Sequence, residues 1–292
     1  MRLTRYADLA AYVSRAEPFL LAREAEHCFA LGLLTTLQRG ERESPTPPYM
    51  ALIEDDDGRV VAAPLATPPF YLILSHIAPG LEVATDDILR LIVADAHDAM
   101  PDLPGVQGPD ALARACAAVW QRLTGQSAHI FMRERLFRLE RVRPQRAVPG
   151  NMRRIEETDR ALLREWLRAF SAEALSIPND PMVESQIDRR LRFKSSGLYL
   201  WQVGESAVSL AGYGGPTPHG IRIGPVYTPP EARGQGYASA LVAALSQRLL
   251  DEGRQFLYLF TDLANPTSNH IYQEIGYEPV SDVTIYAFRP AP

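Results

Sequence analysis

The apolar and polar positions along the chain read as helices alternating with short strands. Over residues 17–38, Phe19, Leu20, Leu31 and Leu34 recur at helical spacing among Arg23, Glu24 and His27, which predicts one amphipathic helix. Residues 41–48 form a polar, proline-rich break. Residues 49–53 predict a strand, 55–58 a hairpin turn and 59–66 the returning strand. The acidic run from Glu54 to Asp57 lacks the length and spacing of a calcium loop and reads as the hairpin tip. Further strands are predicted at 70–75 and 131–142, and helices at 86–99 and 110–123.

The second half begins with a strand near 152–156, and Thr158 can cap a helix over 159–175. After a loop with Pro178 and Pro181 come a helix at 182–194 and a hairpin, 198–203 and 207–213, around Gly204, Glu205 and Ser206. A strand at 220–227, a long helix at 234–252, a strand at 256–261, a short helix at 265–275 and a strand at 280–288 complete the pattern. The order β-α-α-β-β-β-α-β-α-β predicts an α/β fold with a mixed sheet and helices packed on it. Between the halves, residues 143–150 hold Pro144, Pro149 and Gly150 without apolar periodicity. They are the expected boundary between domains 1–148 and 149–292. The halves share a coarse order of elements, and each has a helix ending in Gln-Arg-Leu (121–123 and 247–249), which suggests a diverged internal duplication.

Composition narrows the class. A chain of 292 residues, 46% hydrophobic, accommodates one large or two ordinary domains and excludes whole-chain disorder. The balance of 30 Lys+Arg against 35 Asp+Glu argues against a dedicated nucleic-acid binder. No segment approaches the ~20 apolar residues of a membrane span, and the N-terminus lacks the pattern of a secretory signal. Cys28 and Cys116 are isolated, without metal-ligand spacing, and read as buried thiols in a reduced, cytoplasmic setting.

One segment carries chemistry. A strand ends at Val226-Tyr227-Thr228, and Pro229 and Pro230 stop its pairing. Arg233-Gly234-Gln235-Gly236-Tyr237-Ala238-Ser239 then turns into a helix whose Ala238, Leu241, Val242, Leu245 and Leu249 form one apolar stripe. Gly234 and Gly236 let the backbone approach a ligand, and the amides opening the helix suit a pyrophosphate. No Lys-Ser/Thr follows the glycines, and Gly-x-Gly-x-x-Gly is not matched, so neither a Walker loop nor a dinucleotide fingerprint is present.

Arg233, Gly236 and Ala238 in the pattern Arg-x-x-Gly-x-Ala resemble the acyl-CoA loop of the GNAT acetyltransferases. Asn265, Ser268, Tyr272 and Gly276-Tyr277 resemble the second signature of that superfamily, in the same order. The resemblance covers about residues 152–288. It implies a tandem GNAT-like architecture, each domain a mostly antiparallel mixed sheet flanked by helices. It also implies transfer of an acetyl group from acetyl-CoA to a primary amine by direct attack in a ternary complex, without a metal.

By resemblance, Val226, Tyr227 and Thr228 pair with the pantetheine arm, and Arg233 to Ser239 (Gly234, Gln235, Gly236, Tyr237 and Ala238 between them) cradle the pyrophosphate. Asn265 binds the pantetheine arm, Asn269 adds a second polar contact, and Tyr272 protonates the leaving thiolate. An oxyanion would take a strand N–H near Val226. The usual strand glutamate has no counterpart in Ile221-Arg222-Ile223-Gly224-Pro225, so the general base is open among Glu173, Glu184 and Asp282, none anchored by a motif. The first half lacks both signatures. Gly105-Val106-Gln107-Gly108-Pro109-Asp110 stands where its cradle would be, with no preceding arginine, so that half reads as a degenerate copy. The acceptor is expected to be a small-molecule or peptide amine, and a homodimer is compatible with the sequence. Two other readings remain open: an acyl-CoA-binding sensor without turnover, and an aminoacyl-tRNA-dependent transferase.

Overall fold

A computed structural model describes residues 1–42 and 46–289. The expected break at 41–48 therefore lies partly outside the described residues. The chain divides into two compact units: residues 1–136 with 280–292, and residues 137–279.

In the first unit, β1 (Arg2–Arg5) leads into α1 (Leu9–Leu21) and α2 (Cys28–Gln38). The expected single helix over 17–38 is thus two helices. The chain turns between them, His27 fixes that turn by a ring nitrogen 2.9 Å from the Leu20 carbonyl, and its other nitrogen accepts the His76 amide. The hairpin forms as β2 (Tyr49–Glu54), β3 (Val60–Ala62) and β4 (Leu65–Ala66), the return broken at Ala63-Pro64. Asp55 closes the tip by accepting the Asp57 and Arg59 amides. β5 (Leu72–Ile73), α3 (Thr85–Ala99), β6 (Gly105–Pro109), α4 (Asp110–Thr124) and β7 (Ser127–Leu139) follow. Residues 105–109, expected where a cradle would be, are instead a strand that pairs in parallel with β5.

In the second unit, β8 (Asn151–Arg154) precedes α5 (Arg160–Ala174) and α6 (Val183–Arg192). Thr158 is not the cap: a short turn at Glu157–Asp159 enters α5, closed by a capping box between Glu156 and Asp159. Then come β9 (Gly197–Val203), β10 (Ser206–Gly214), β11 (Gly220–Tyr227), α7 (Tyr237–Asp251), β12 (Phe256–Asp262) and α8 (Pro266–Ile275), and β13 (Glu278–Arg289) closes the chain. β8, β9, β10 and β11 pair antiparallel in sequence order, and β12 joins β11 in parallel. β6 joins β5 in the same way, so the place of a cradle in the first unit is the connection from β5 to α3.

The expected boundary at 148/149 differs from the observed division at both ends. β13 leaves its own half and pairs antiparallel with β6, Ile285 opposite Gln107. Its Phe288 ring stacks on Trp120 at 4.6 Å. Conversely, Phe137 and Leu139 enter the core of the second unit, and the Arg143 amide donates to the Ile275 carbonyl. The proline-rich linker is therefore tied to the second unit, with the Trp201 indole donating to Pro149 O at 2.9 Å. Hydrophobic patterning cannot distinguish which sheet a terminal strand joins, because either sheet buries the same alternate face.

Each unit has a core on both faces of its sheet. In the second, α7 and α8 cover one face through Leu241, Leu245 and Ile275, with Tyr277 just beyond α8. Leu163, Trp166, Val183 and Ile187 of α5 and α6 cover the other.

Candidate functional site

β11 and β12 separate partway along. Their parallel pairing runs from Gly220 opposite Phe256 to Arg222 opposite Tyr258 and goes no further. β11 continues to Tyr227, held only by β10, with a register shift between Ala211 and Tyr213. Gly224 takes a left-handed φ of +143° at this irregularity, and Pro225 has no amide to offer a neighbour. Residues 223–227 therefore present an edge with no β12 partner.

The backbone orientation of that edge follows from one bond. Tyr227 O accepts from Ser209 Oγ of β10 at 3.2 Å. Successive residues of such a strand address opposite edges, so the Val226 amide and carbonyl face the gap. The Tyr227 ring turns away from it, buried against Trp166 at 6.0 Å. Burial, with Glu173 beside it, pushes the Tyr227 phenol above its ordinary range. Of the expected strand contacts, Tyr227 thus offers no side chain to a ligand in the gap. Thr228 Oγ lies 2.8 Å from Ser209 Oγ and ties the strand end to β10.

The loop from Pro229 to Gly236 is built for close approach. Gly234 and Gly236 have φ of +77° and +82°, a region costly for residues with a Cβ. α7 begins at Tyr237, and its first internal bond is from the Ala240 amide to Gly236 O, 3.0 Å. The amides of Tyr237, Ala238 and Ser239 precede that bond and are unused by the helix, with the positive dipole end behind them. The Gln235 side chain is exposed. Arg233 is anchored sideways rather than into the loop. Its Nε donates to Thr228 O at 2.8 Å, and its Nη2 pairs with Glu173 at 2.7 Å.

On α8, Asn265 is the N-cap, its Oδ1 accepting the Ser268 amide at 3.0 Å. Asn269 is a buttress: Nδ2 donates to Asp262 O and Asn265 O, and Oδ1 is buried without a partner. Two turns after Asn265, the partly buried Tyr272 packs edge-on against Tyr277 at 5.9 Å. The hydroxyl of Tyr277 is taken by Ser246 at 2.9 Å, whereas that of Tyr272 has no partner among the described residues. Burial raises the Tyr272 phenol to about 12.

The three carboxylates open as bases separate clearly. Asp282 lies in the first unit, gripped by Arg135 at 2.7 Å and held below the carboxylate range by that bond. Glu184 is held low by Arg164 and Arg160 on the outer faces of α5 and α6. Only Glu173 reaches the end of β11, through Arg233 and, at 3.4 Å, the Tyr227 hydroxyl.

One site-facing residue escaped the sequence reading. Arg190 is 6% exposed, and its Nη2 lies 3.4 Å from Gly224 O at the separation of the strands. A signal existed: Val183, Ile187 and Arg190 share the buried face of α6, an arginine where the stripe calls for an aliphatic residue.

The comparisons agree with this geometry. Residues 160–277 match the model of the acetyltransferase (GNAT) family. No curated protein matches the chain. Among solved structures, a GNAT-family acetyltransferase from Colwellia psychrerythraea is similar over 99% of this chain and 100% of its own, with 12% identity and a TM-score of 0.59. A GCN5-related N-acetyltransferase from Sphaerobacter thermophilus covers 99% and 96%, with 15% identity and a TM-score of 0.61. A tandem GNAT protein from the clavulanic acid biosynthesis pathway covers 100% and 99%, with 11% identity and a TM-score of 0.60. At these identities the likeness is one of fold, and it extends over both units. The chain therefore has the fold of these proteins, one of them a tandem GNAT protein, and its residues 160–277 match the acetyltransferase (GNAT) family model.

Proposed function

We propose that the GNAT domain of the second unit transfers an acetyl group from acetyl-CoA to a primary amine. The observation that carries this reading is the coincidence at one strand. β11 parts from β12 just before a loop with two left-handed glycines, which opens a helix with three uncommitted amides. A pantetheine arm can complete the exposed edge of β11 as an added strand. The pyrophosphate then meets the amides of Gly234 to Ser239 at the positive end of α7. Arg233 supports that loop through its backbone and its bond to Thr228, with Glu173 holding its side chain. Asn265, with its Oδ1 engaged as a cap, has its amide nitrogen for the arm, and Asn269 holds the start of α8 in place.

In the reaction, the amine lone pair attacks the thioester carbon. Negative charge gathers on the former carbonyl oxygen, which the gap-facing Val226 amide can stabilise. The C–S bond breaks as this oxyanion collapses, the amine loses a proton, and the sulfur leaves as a thiolate. Tyr272 is the donor to that sulfur. Its pKa near 12 lies above a thiol's ordinary value of about 8.5. Tyr272 is therefore fully protonated at neutral pH, and it acts by donating a hydrogen bond as charge develops rather than by surrendering its proton beforehand. The amine proton passes to solvent, and Glu173, the nearest of the three candidate carboxylates to the strand end, is engaged in holding Arg233. The first unit is read as a partner domain without a CoA site.

The test is thiol release from acetyl-CoA across a panel of amines, amino acids and peptides, with calorimetry of acetyl-CoA binding alongside. Binding with turnover supports the proposal. Binding without turnover for any amine would favour an acyl-CoA sensor, the reading against which the uncommitted Tyr272 hydroxyl speaks.

A further inference from the structure

Arg190 is a guanidinium in an expensive place. It is 6% exposed, and no carboxylate pairs with it among the described residues. Its Nε is buried without an acceptor. Its remaining contacts are long and weak: Nη1 to Gln186 O and Oε1, both 3.5 Å, and Nη2 to Gly224 O, 3.4 Å. A buried charge without a matched partner destabilises the fold, and an aliphatic residue at this position would suit the α6 stripe better. The surroundings add to the cost. Arg189 and Arg222 lie near enough to act on it, and with burial they pull its pKa down to about 9.

The local network also holds the position steady. Asp180 is buried, accepts from Ser171 Oγ at 2.8 Å and from the Met182 amide at 2.8 Å, and takes Gln186 Nε2 at 3.3 Å. Gln186 is thereby oriented with its oxygen toward Arg190. The fold keeps a charged fork at the bulge of β11 and supplies it only carbonyl-type acceptors.

The position relative to the reaction gives this arrangement a use. The gap between β11 and β12 has two faces. α7 and α8, with Tyr272, lie on one of them. If the acyl donor is held from that face, an attacking amine enters from the other, which α5 and α6 cover. Arg190 stands on this second face at Gly224, two residues from Val226.

We infer that the acceptor is a small amine carrying a carboxylate, and that Arg190 receives the carboxylate while the amine is directed into the gap. The inference rests on the acetyltransfer reading for its account of the amine, but not for the anion site itself. A carboxylate satisfies a guanidinium with two parallel bonds and supplies the missing countercharge.

The experiment compares free amino acids with their carboxamides, which keep the amine and lose the charge. Both series are tested as acceptors by thiol release and as ligands by thermal shift without acetyl-CoA. The proteins are wild type, Arg190→Met and Arg190→Lys. We expect at least one free acid to exceed its carboxamide by about tenfold or more in kcat/KM, mostly through KM. In Arg190→Met the preference should fall to within about twofold, with acetyl-CoA affinity unchanged and Tm unchanged or higher. Arg190→Lys should retain part of the preference. Carboxamides used as well as acids, or a preference that survives Arg190→Met, would overturn the assignment. A lowered Tm with an unchanged preference would make Arg190 a buttress of the β11 bulge. If Arg190→Met does not fold, Arg190→Lys decides: a preference reduced threefold supports the site, and an unchanged one refutes it. Failure of acetyl-CoA to bind would sink the acetyltransfer reading alone. The anion site would then stand or fall on whether free acids raise the Tm of wild type and not of Arg190→Met.

Discussion

The two units each lead a strand into a helix at the corresponding point of the fold, β11 into α7 and β5 into α3. Each strand is antiparallel to one neighbour and parallel to the next, and the junctions differ in chemistry. In the second unit, β11 and α7 are separated by nine residues, 228–236, with left-handed glycines at 234 and 236. In the first unit, β5 ends at Ile73 and α3 begins at Thr85, and residues 74–84 between them hold one left-handed glycine, Gly80, and no Arg-x-x-Gly-x-Ala. Asp86 and Asp87 place two negative charges in the first turn of α3, where they oppose an anion. β11 loses its parallel partner before it ends, whereas β5 stays paired with β6 to its last residue, Ile73 opposite Gln107. A shared topology therefore does not confer an anion site. The site requires helix-opening amides free of neighbouring carboxylates and a strand whose neighbour has departed.

The comparison is most exposed at Tyr272, for which the first unit has no counterpart motif. Tyr272→Phe keeps the ring against Tyr277 and removes the donor. Turnover should fall by roughly 10²–10⁴-fold in kcat with acetyl-CoA affinity unchanged. Because burial raises this phenol to about 12, wild-type activity should not decline through tyrosine ionisation anywhere below about pH 10. It should instead rise with pH as the acceptor amine loses its proton. A variant within threefold of wild type would reduce Tyr272 to a packing residue.

The exchange of β13 gives the next largest effect. Phe288→Ala removes the partly buried ring stacked on Trp120 and should cost about 2 kcal/mol, below the range for a fully buried aromatic. Hydrogen exchange should show the loss in the first unit, while acetyl-CoA affinity stays as it was. Loosening confined to residues 137–279 would contradict the assignment of this strand.

Gly236→Val tests the cradle. The new side chain must adopt φ +82° and meet Val148, whose Cγ1 lies 3.2 Å from where the Cβ would sit. Acetyl-CoA affinity should drop at least tenfold, about 1.4 kcal/mol, and circular dichroism should show that the unit remains folded. The same titration of wild type should give one site per chain. Two sites of similar affinity would mean that the β5–α3 junction binds CoA after all.

The smallest effect is expected at Glu173. If its task is to hold Arg233, Glu173→Gln removes a half-exposed ion pair worth at most about 1 kcal/mol. The acetyl-CoA KM should then rise up to about fivefold with kcat nearly unchanged. A fall in kcat of a hundredfold, steepest at low pH, would instead make Glu173 the base.

Much of this was legible without coordinates, for local reasons. β11 begins and ends where alternation and Pro229 place it, and α7 follows from its stripe of Leu241, Val242, Leu245 and Leu249. Gly234 and Gly236 announce left-handed backbone, and Asn265 announces a helix start, because these depend on neighbours in sequence. The helix break before His27 was hidden, since it depends on bonds to Leu20 and His76 rather than on apolar spacing. The fate of the carboxylates was hidden too: Glu173, Glu184 and Asp282 look alike until Arg233, Arg164 and Arg135 are seen beside them.

The sequence alone determined the two signatures, the strand-to-helix turn and the tyrosine two turns beyond Asn265. All of these are short-range patterns imposed by backbone sterics and helical periodicity. Tertiary structure alone decided that β13 completes the other unit, that β11 loses β12 after Arg222, and that Arg190 lies buried at Gly224 without a countercharge. Each depends on which distant segments meet, and the meeting is settled by burial and pairing summed over the whole unit rather than by any residue's own preference.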